Sequence, residues 1–154
     1  MIVGHGLRGR TVEGPLAPGG EPELTEILSR RYWCRACDAI LVVVPRGVGR
    51  GSRYSLQAIA WALALWAHTR ATAASVRARS STARTVGAAS ATRWASLGRW
   101  VRSALAIFGV VAGEAGTMRQ RAAMIAVYVA SKAPLITGPV PFDAFYGGAF
   151  CVKG

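Results

Sequence analysis

Tyr32-Trp33-Cys34-Arg35-Ala36-Cys37, followed by the apolar run Ala39-Ile40-Leu41-Val42-Val43-Val44 and stopped by Pro45, decides how the chain is read. Two cysteines separated by two residues, with strand-like sequence on both sides, are how half of a zinc ribbon is written, because a tight turn lets both sulfurs face one tetrahedral ion. Cys34 and Cys37 are therefore the candidate zinc ligands. A four-ligand site needs a second pair. Upstream of Trp33 the one donor of suitable type is His5, and the third cysteine, Cys151, lies at the far end.

Outward from this turn the flanks read as strands. Ala39 to Val44 is β-branched, short and bounded by Asp38 and Pro45. Leu24 to Trp33 alternates, with Leu24, Glu26, Leu28 and Arg30 on one face and Thr25, Ile27, Ser29 and Arg31 on the other. Further upstream, Ile2 to Leu7 alternates and leads through Arg8 and Arg10 to Thr11-Val12, which reads as a short strand, ended by the turn chemistry of Gly14-Pro15-Leu16-Ala17-Pro18-Gly19-Gly20. A sheet this small needs a metal or a docking surface to stand, since chains below about 50 residues bury too little.

Downstream, Pro45 to Arg53 is basic, glycine-rich and without periodicity; it lacks the Gly-Lys-Ser/Thr ending of a phosphate loop. Helical character starts at Ser55, a good N-cap, with Leu56 to Ala67 apolar almost all round and therefore central in a core. Thr69 or Thr72 caps a second short helix ended by Ser80-Ser81-Thr82. A third helix is expected from Ser90 or Thr92 to Ala106, with Trp94, Leu97, Val101 and Ala104 inward and a stripe of Arg93, Ser96, Arg99 and Arg102 outward. Two short helices and then a basic amphipathic one outline a helix-turn-helix unit. The same stripe also suits a solvated face on an ordinary bundle. Thr117 caps a last helix carrying Met118, Ala122, Ile125 and Val129, stopped by Pro134. The tail from Leu135, with Phe142, Phe145 and Tyr146 among prolines and glycines, remains unassigned.

The charge is lopsided: 17 Arg and 2 Lys against 7 acids give +12 and a pI near 11.2. Arginine's planar fork suits phosphates and guanine edges, so a polyanionic partner fits, with a compositional bias of the coding sequence as the bland alternative. Three cysteines do not make a disulfide framework, and no secretory leader or apolar run of about 20 residues stands out, so a reducing, cytoplasmic setting without membrane spans is expected. Catalysis finds little support. The acids are Glu13, Glu21, Glu23, Glu26, Asp38, Glu114 and Asp143, with no cluster suited to hard cations, and His68 at the end of the first helix reads as a partner of the helix dipole.

Gly4-His5-Gly6-Leu7-Arg8, Gly14-Pro15-Leu16-Ala17, Arg31 to Cys37, Val43 to Gly47, Tyr54 to Ala67, Thr85-Val86-Gly87 and Trp94 to Trp100 together resemble a bacterial family of uncharacterised proteins. Its members are similar to the front end of insertion-sequence transposases. The resemblance implies a zinc ribbon followed by a helix-turn-helix-like DNA-binding region. In that family a further cysteine pair stands just before the position matching Gly4-His5-Gly6, and the present sequence begins after it, so either the start lies upstream of Met1 or this copy has lost its site. His5 matches the family's own histidine and is not read as a substitute ligand.

The expected fold is α+β: a small N-terminal antiparallel β-ribbon, incomplete as a zinc ribbon, over residues 1–45, a basic linker at 46–53, an all-α domain of helix-turn-helix character at 54–133, and a tail at 134–154. The expected function is non-enzymatic DNA binding related to mobile elements. Its contacts would come from Arg84, Arg93, Ser96, Arg99 and Arg102 and from Arg46, Arg50 and Arg53, with zinc as the expected cofactor at the incomplete site of Cys34 and Cys37. The competing reading is a degenerate fragment or structural interaction protein without specific nucleic-acid binding.

Overall fold

The computed structural model describes residues 1–49, 51–83 and 93–151. Among these residues it is an α+β arrangement in which a three-stranded antiparallel sheet precedes six helices. Strand β1 (Ile2–Pro15) pairs with β2 (Pro22–Cys34), and β2 with β3 (Ile40–Val43), in the order β1-β2-β3. The short strand expected at the N-terminus is longer, running from Ile2 to Pro15, and absorbs the glycines around His5 as a register shift between Gly4 and Leu7. An extra residue in one strand is accommodated that way without ending the ladder. In β2 the expected alternation is present: Leu24, Glu26, Leu28 and Arg30 are exposed, while Thr25 and Ile27 are half-buried and Ser29 is buried.

Helix α1 (Leu56–His68) begins where Ser55 accepts the Ala58 N–H at 3.0 Å. Every residue from Ala58 to Leu65 is buried, as an apolar helix without a polar face requires. Around it pack α2 (Ala73–Ala78), α3 (Ala95–Arg102), α4 (Ala104–Phe108), α5 (Met118–Ala130) and α6 (Val140–Gly148). Thr117 and Gln120 form a reciprocal capping box at the start of α5, and Ala122, Ile125 and Val129 lie on its buried face.

The unassigned tail supplies α6, which closes the core with Ala144 and Phe145. Asp143 fixes its approach by accepting the Thr137 N–H and hydroxyl, both at 2.7 Å, and the Gly138 N–H at 3.2 Å. A Cβ on Gly147 would collide with the Val129 carbonyl, and one on Gly148 would lie 2.9 Å from the Gln57 Cα. The absence of side chains there is what lets α6 lie against both α1 and α5.

Two expectations about the third helix need correction. It is not one element from 90 to 106: α3 starts at Ala95 behind Trp94, breaks at Ser103, and α4 follows until Gly109 turns left-handed at φ 73°. Ser96 does not belong to the outer basic stripe; it is buried, on the side that carries Leu97, Trp100 and Val101. Helix-turn-helix character is not shown among the described residues: α2 ends at Ala78 and α3 starts at Ala95, and residues 84–92 between them lie outside the described residues. Arg50, Arg84, the Thr85-Val86-Gly87 segment and the Ser90 and Thr92 caps lie outside the described residues.

The glycine-rich segment expected to act as a linker between sheet and helices is strapped to both. Leu56 donates its N–H to the Gly47 carbonyl at 2.7 Å, Glu13 its N–H to the Arg53 carbonyl at 2.8 Å, and Ser55 its N–H to the Glu13 carbonyl at 3.1 Å. Among the described residues no helix is long and apolar enough to cross a membrane.

Candidate nucleic-acid interface

Helix α1 ends at His68, and the chain turns through Thr69 to the Thr72 cap of α2. Arg119, in the first turn of α5, reaches this corner. Its Nε donates to the Trp66 carbonyl at 2.6 Å and its Nη2 to the carbonyls of Thr69 and Ala71 at 3.2 and 3.0 Å, while the guanidinium lies 5.9 Å from the centre of the Trp66 ring. A cation that satisfies carbonyls left over at a helix C-terminus is favourable on both hydrogen-bonding and dipole grounds. Facing the corner is the start of α3. The result is a cleft of about 580 Å³ whose lining includes Trp66, Arg70, Arg93, Trp94, Arg102 and Arg119.

Four arginines thus line one cleft beside two half-exposed indoles. Among the described residues the one ion pair is Arg53 with Glu13, so no carboxylate neutralises the cleft. Like charges gathered without counter-charges are costly, and a polyanion relieves that cost.

Trp94 is held by its neighbours. Its ring centre lies 4.9 Å from that of Trp100 and 6.1 Å from that of Tyr54, both edge-on, and Tyr54 meets Trp100 at 5.1 Å. The Tyr54 hydroxyl lies 3.1 Å from Ser81 Oγ, which donates to Glu13 Oε1 at 2.6 Å. Ser81 has one hydroxyl proton and gives it to the carboxylate, so Tyr54 is the donor to Ser81.

Glu13 is fully buried at the end of β1. It also accepts the Thr82 N–H at 2.5 Å and the Thr82 hydroxyl at 3.0 Å, and its Oε2 takes the Arg53 Nε–H at 2.5 Å. Burial alone would raise this carboxyl's pKa. The hydrogen bonds from Ser81 and Thr82 and the nearby Arg53 outweigh burial and hold it below the ordinary value.

The residues expected to contact DNA are therefore divided. Arg93 and Arg102 face the cleft, while Arg99, also exposed, donates to Ser96 Oγ at 3.1 Å. Arg53 is engaged with Glu13, and Arg46 lies over Phe150 at 5.4 Å, on other parts of the surface. Sequence reasoning missed Arg70, Arg119, Trp66 and the cleft-facing role of Trp94. The local signal was thin: an arginine just past a helix end and another just past a cap become neighbours only through the packing of α5 on α1.

Cys34 and Cys37 sit on the turn joining β2 to β3, which is closed by the Cys34 N–H donating to the Ala39 carbonyl at 2.9 Å. The Cys37 N–H, the Cys37 thiol and the Ala36 N–H all favour charge on the Cys34 sulfur and lower its pKa. Asp38, at φ 59°, accepts the Trp33 Nε1–H at 2.6 Å. Two thiols in this arrangement supply half of a tetrahedral zinc site. Among the described residues no group of three or more His, Cys, Asp or Glu side chains could complete one, so the donor set does not fit a closed structural centre. Cys151, by contrast, is buried, and burial pushes its thiol pKa up against the opposing pull of Lys132.

Compared with protein-family models, with curated proteins and with solved structures, the chain finds no match in any of the three.

Proposed function

We propose that the chain is a non-enzymatic DNA-binding protein, akin to the DNA-recognition regions of mobile-element proteins, and that it holds DNA in the cleft between the end of α1 and the start of α3. The observation that carries this reading is the convergence of Arg70, Arg93, Arg102 and Arg119 on one cleft beside Trp66 and Trp94. Arginine charge tracks phosphates, and an aromatic face stacks any base, the combination that single-stranded nucleic acid uses. Two half-exposed indoles beside the arginines suit one strand with an unstacked base better than the body of a duplex.

The test is titration of labelled single-stranded and duplex oligonucleotides into the protein while tryptophan fluorescence is followed. Single strands should bind more tightly and quench the signal. The double variant Arg70→Ala/Arg102→Ala should lose at least about tenfold in affinity, and Trp66→Ala about 1–3 kcal/mol. Unchanged binding in these variants, with loss on replacing Arg46, Arg50 and Arg53, would move the contact to the glycine-rich segment and refute the cleft.

A second reading, an interaction protein, is favoured by the sheet. Leu24 and Leu28 on β2 and Leu41 and Val43 on β3 share one sheet face and are between 46% and 58% exposed, an apolar surface larger than scattered side chains account for.

A further inference from the structure

The sheet carries a second recess, separate from the arginine–tryptophan cleft. Arg8 and Ser29 are direct cross-strand partners of β1 and β2, so their side chains leave the same face. The register of β2 with β3 pairs Arg31 with Val42 and Trp33 with Ile40, which puts Val42 and Ile40 on that face too, and continuing it sets Val44 beside Ser29. Gly49 and the Gly51–Ser52 stretch of the segment after Pro45 lie against this face. Arg10 ties them down by donating to the Gly49 carbonyl at 3.2 Å and to the Ser52 carbonyl. Between segment and sheet lies a groove of about 700 Å³, lined among others by Arg8, Ser29, Ile40, Val42 and Val44. Small-molecule sites run from about 300 to 1,000 Å³, mostly apolar with a few convergent polar groups.

Two features of the groove ask for a ligand. Ser29 is 2% exposed, and its hydroxyl finds no hydrogen-bond partner among the described residues. A buried hydroxyl without a partner is unfavourable. Next to it Arg8 is exposed and makes no side-chain hydrogen bond or ion pair among the described residues, whereas Arg10 is engaged with carbonyls. The groove is therefore polar and cationic on its β1 side and apolar on its β3 side.

We propose that this groove binds a small amphipathic carboxylate, its head between the Arg8 guanidinium and the Ser29 hydroxyl and its apolar body along Ile40, Val42 and Val44. Arginine takes a carboxylate through two parallel N–H donors, and the groove's other described arginine, Arg10, has donors turned to the Gly49 and Ser52 carbonyls, so the Arg8 fork is the one left to grip a planar head. Nothing in this site depends on DNA binding, and its residues are not those of the cleft.

The experiment is calorimetric titration of the full chain at neutral pH with decanoate, decanol and decyl phosphate. Decanoate should saturate one site per chain, with decanol at least about tenfold weaker and decyl phosphate no tighter than decanoate. Arg8→Gln should weaken decanoate by about tenfold and leave decanol unchanged, and Ser29→Ala should weaken it by a smaller factor. Arg8 is exposed, so its variant should keep the parent's melting temperature and test recognition without unfolding. The proposal is overturned if decanoate does not bind or binds without saturating, if decanol binds equally well, if Arg8→Gln leaves decanoate affinity unchanged, or if decyl phosphate binds about tenfold more tightly.

Discussion

In the helical half Ile59, Leu63, Ile125, Val129 and Phe145 are each 1% exposed or less, whereas in the sheet half Ile2, Leu7, Leu24, Leu28 and Ile40 are 48–61% exposed. Both halves are rich in aliphatic side chains, but only the helices bury them against one another. The helical half is held by area removed from water and by close backbone approach at Gly147 and Gly148. The sheet is held by its own ladder and by one docking point, where Val12 to Pro15 become buried and Glu13 gathers Arg53, Ser81 and Thr82. Apolar content is thus a poor guide to what stabilises a region; what its side chains face decides it.

The sharpest way to change this contrast is to close the cysteine turn. The Met1 carbonyl accepts the Arg35 N–H at 3.1 Å, so a peptide joined to the N-terminus emerges beside Cys34 and Cys37. An engineered extension carrying a second Cys-x-x-Cys should retain about one zinc per chain against a mild chelator, since a complete structural site contributes roughly 10–16 kcal/mol. The sequence as given should lose its zinc. Stoichiometric, chelator-resistant zinc in the unextended protein would show that the two-thiol reading is wrong.

Next in size is the helical core. Phe145→Ala removes a ring packed edge-on against Trp61 at 6.3 Å and should cost about 4 kcal/mol, read from denaturant unfolding. A cost below about 1 kcal/mol would mean that α6 does not close the core. In the sheet half, Glu13→Ala strands the Ser81 and Thr82 donors, while the exposed Arg53 stays solvated, and should cost about 3 kcal/mol, with faster proteolysis of residues 1–45 than of the helices. Uniform proteolysis across both halves would remove the distinction drawn between them.

The same carboxylate gives a pH signature. Its folded pKa is below its ordinary value, so its contribution is fully present above the unfolded carboxylate range near about 4.3 and is lost as pH falls through the lower folded value. Asp143, where burial is likewise outweighed by the donors of Thr137 and Gly138, acts in the same direction on the helical half. Acid should therefore destabilise the protein below about pH 4, and Glu13→Gln should flatten part of that limb. An unaltered acid limb in Glu13→Gln would assign it elsewhere. Smallest of all, Leu28→Lys on the open sheet face should stay within about 0.5 kcal/mol of the parent.

Much of the fold was legible because its signals are local. Ser55, Thr72 and Thr117 announce their helices as caps, and the alternation from Leu24 to Arg31 announces β2 and its faces. The tail was illegible because α6 is specified by Gly147 and Gly148, which read as breakers until a neighbouring helix is seen to need their missing side chains. The stripe on α3 misled for a similar reason. Ser96 is small enough to be buried beside Leu97 and Trp100, and polarity alone could not tell that face from the outer one. Of the candidate interface, Arg93 and Arg102 were visible as helix-spaced charge, while Arg70 and Arg119 join them only through tertiary packing.

The central claim, that the arginine cleft holds a nucleic-acid strand, is tested most directly by the salt dependence of single-stranded DNA binding. Each phosphate contact on a single strand contributes a slope of about −0.7 in log K against log salt, so contacts from Arg70, Arg93 and Arg102 predict a slope near about −2. Arg70→Ala/Arg102→Ala should flatten it by about 1.4. A slope that the double variant leaves unchanged would contradict the account, because it would place the phosphate contacts outside the cleft.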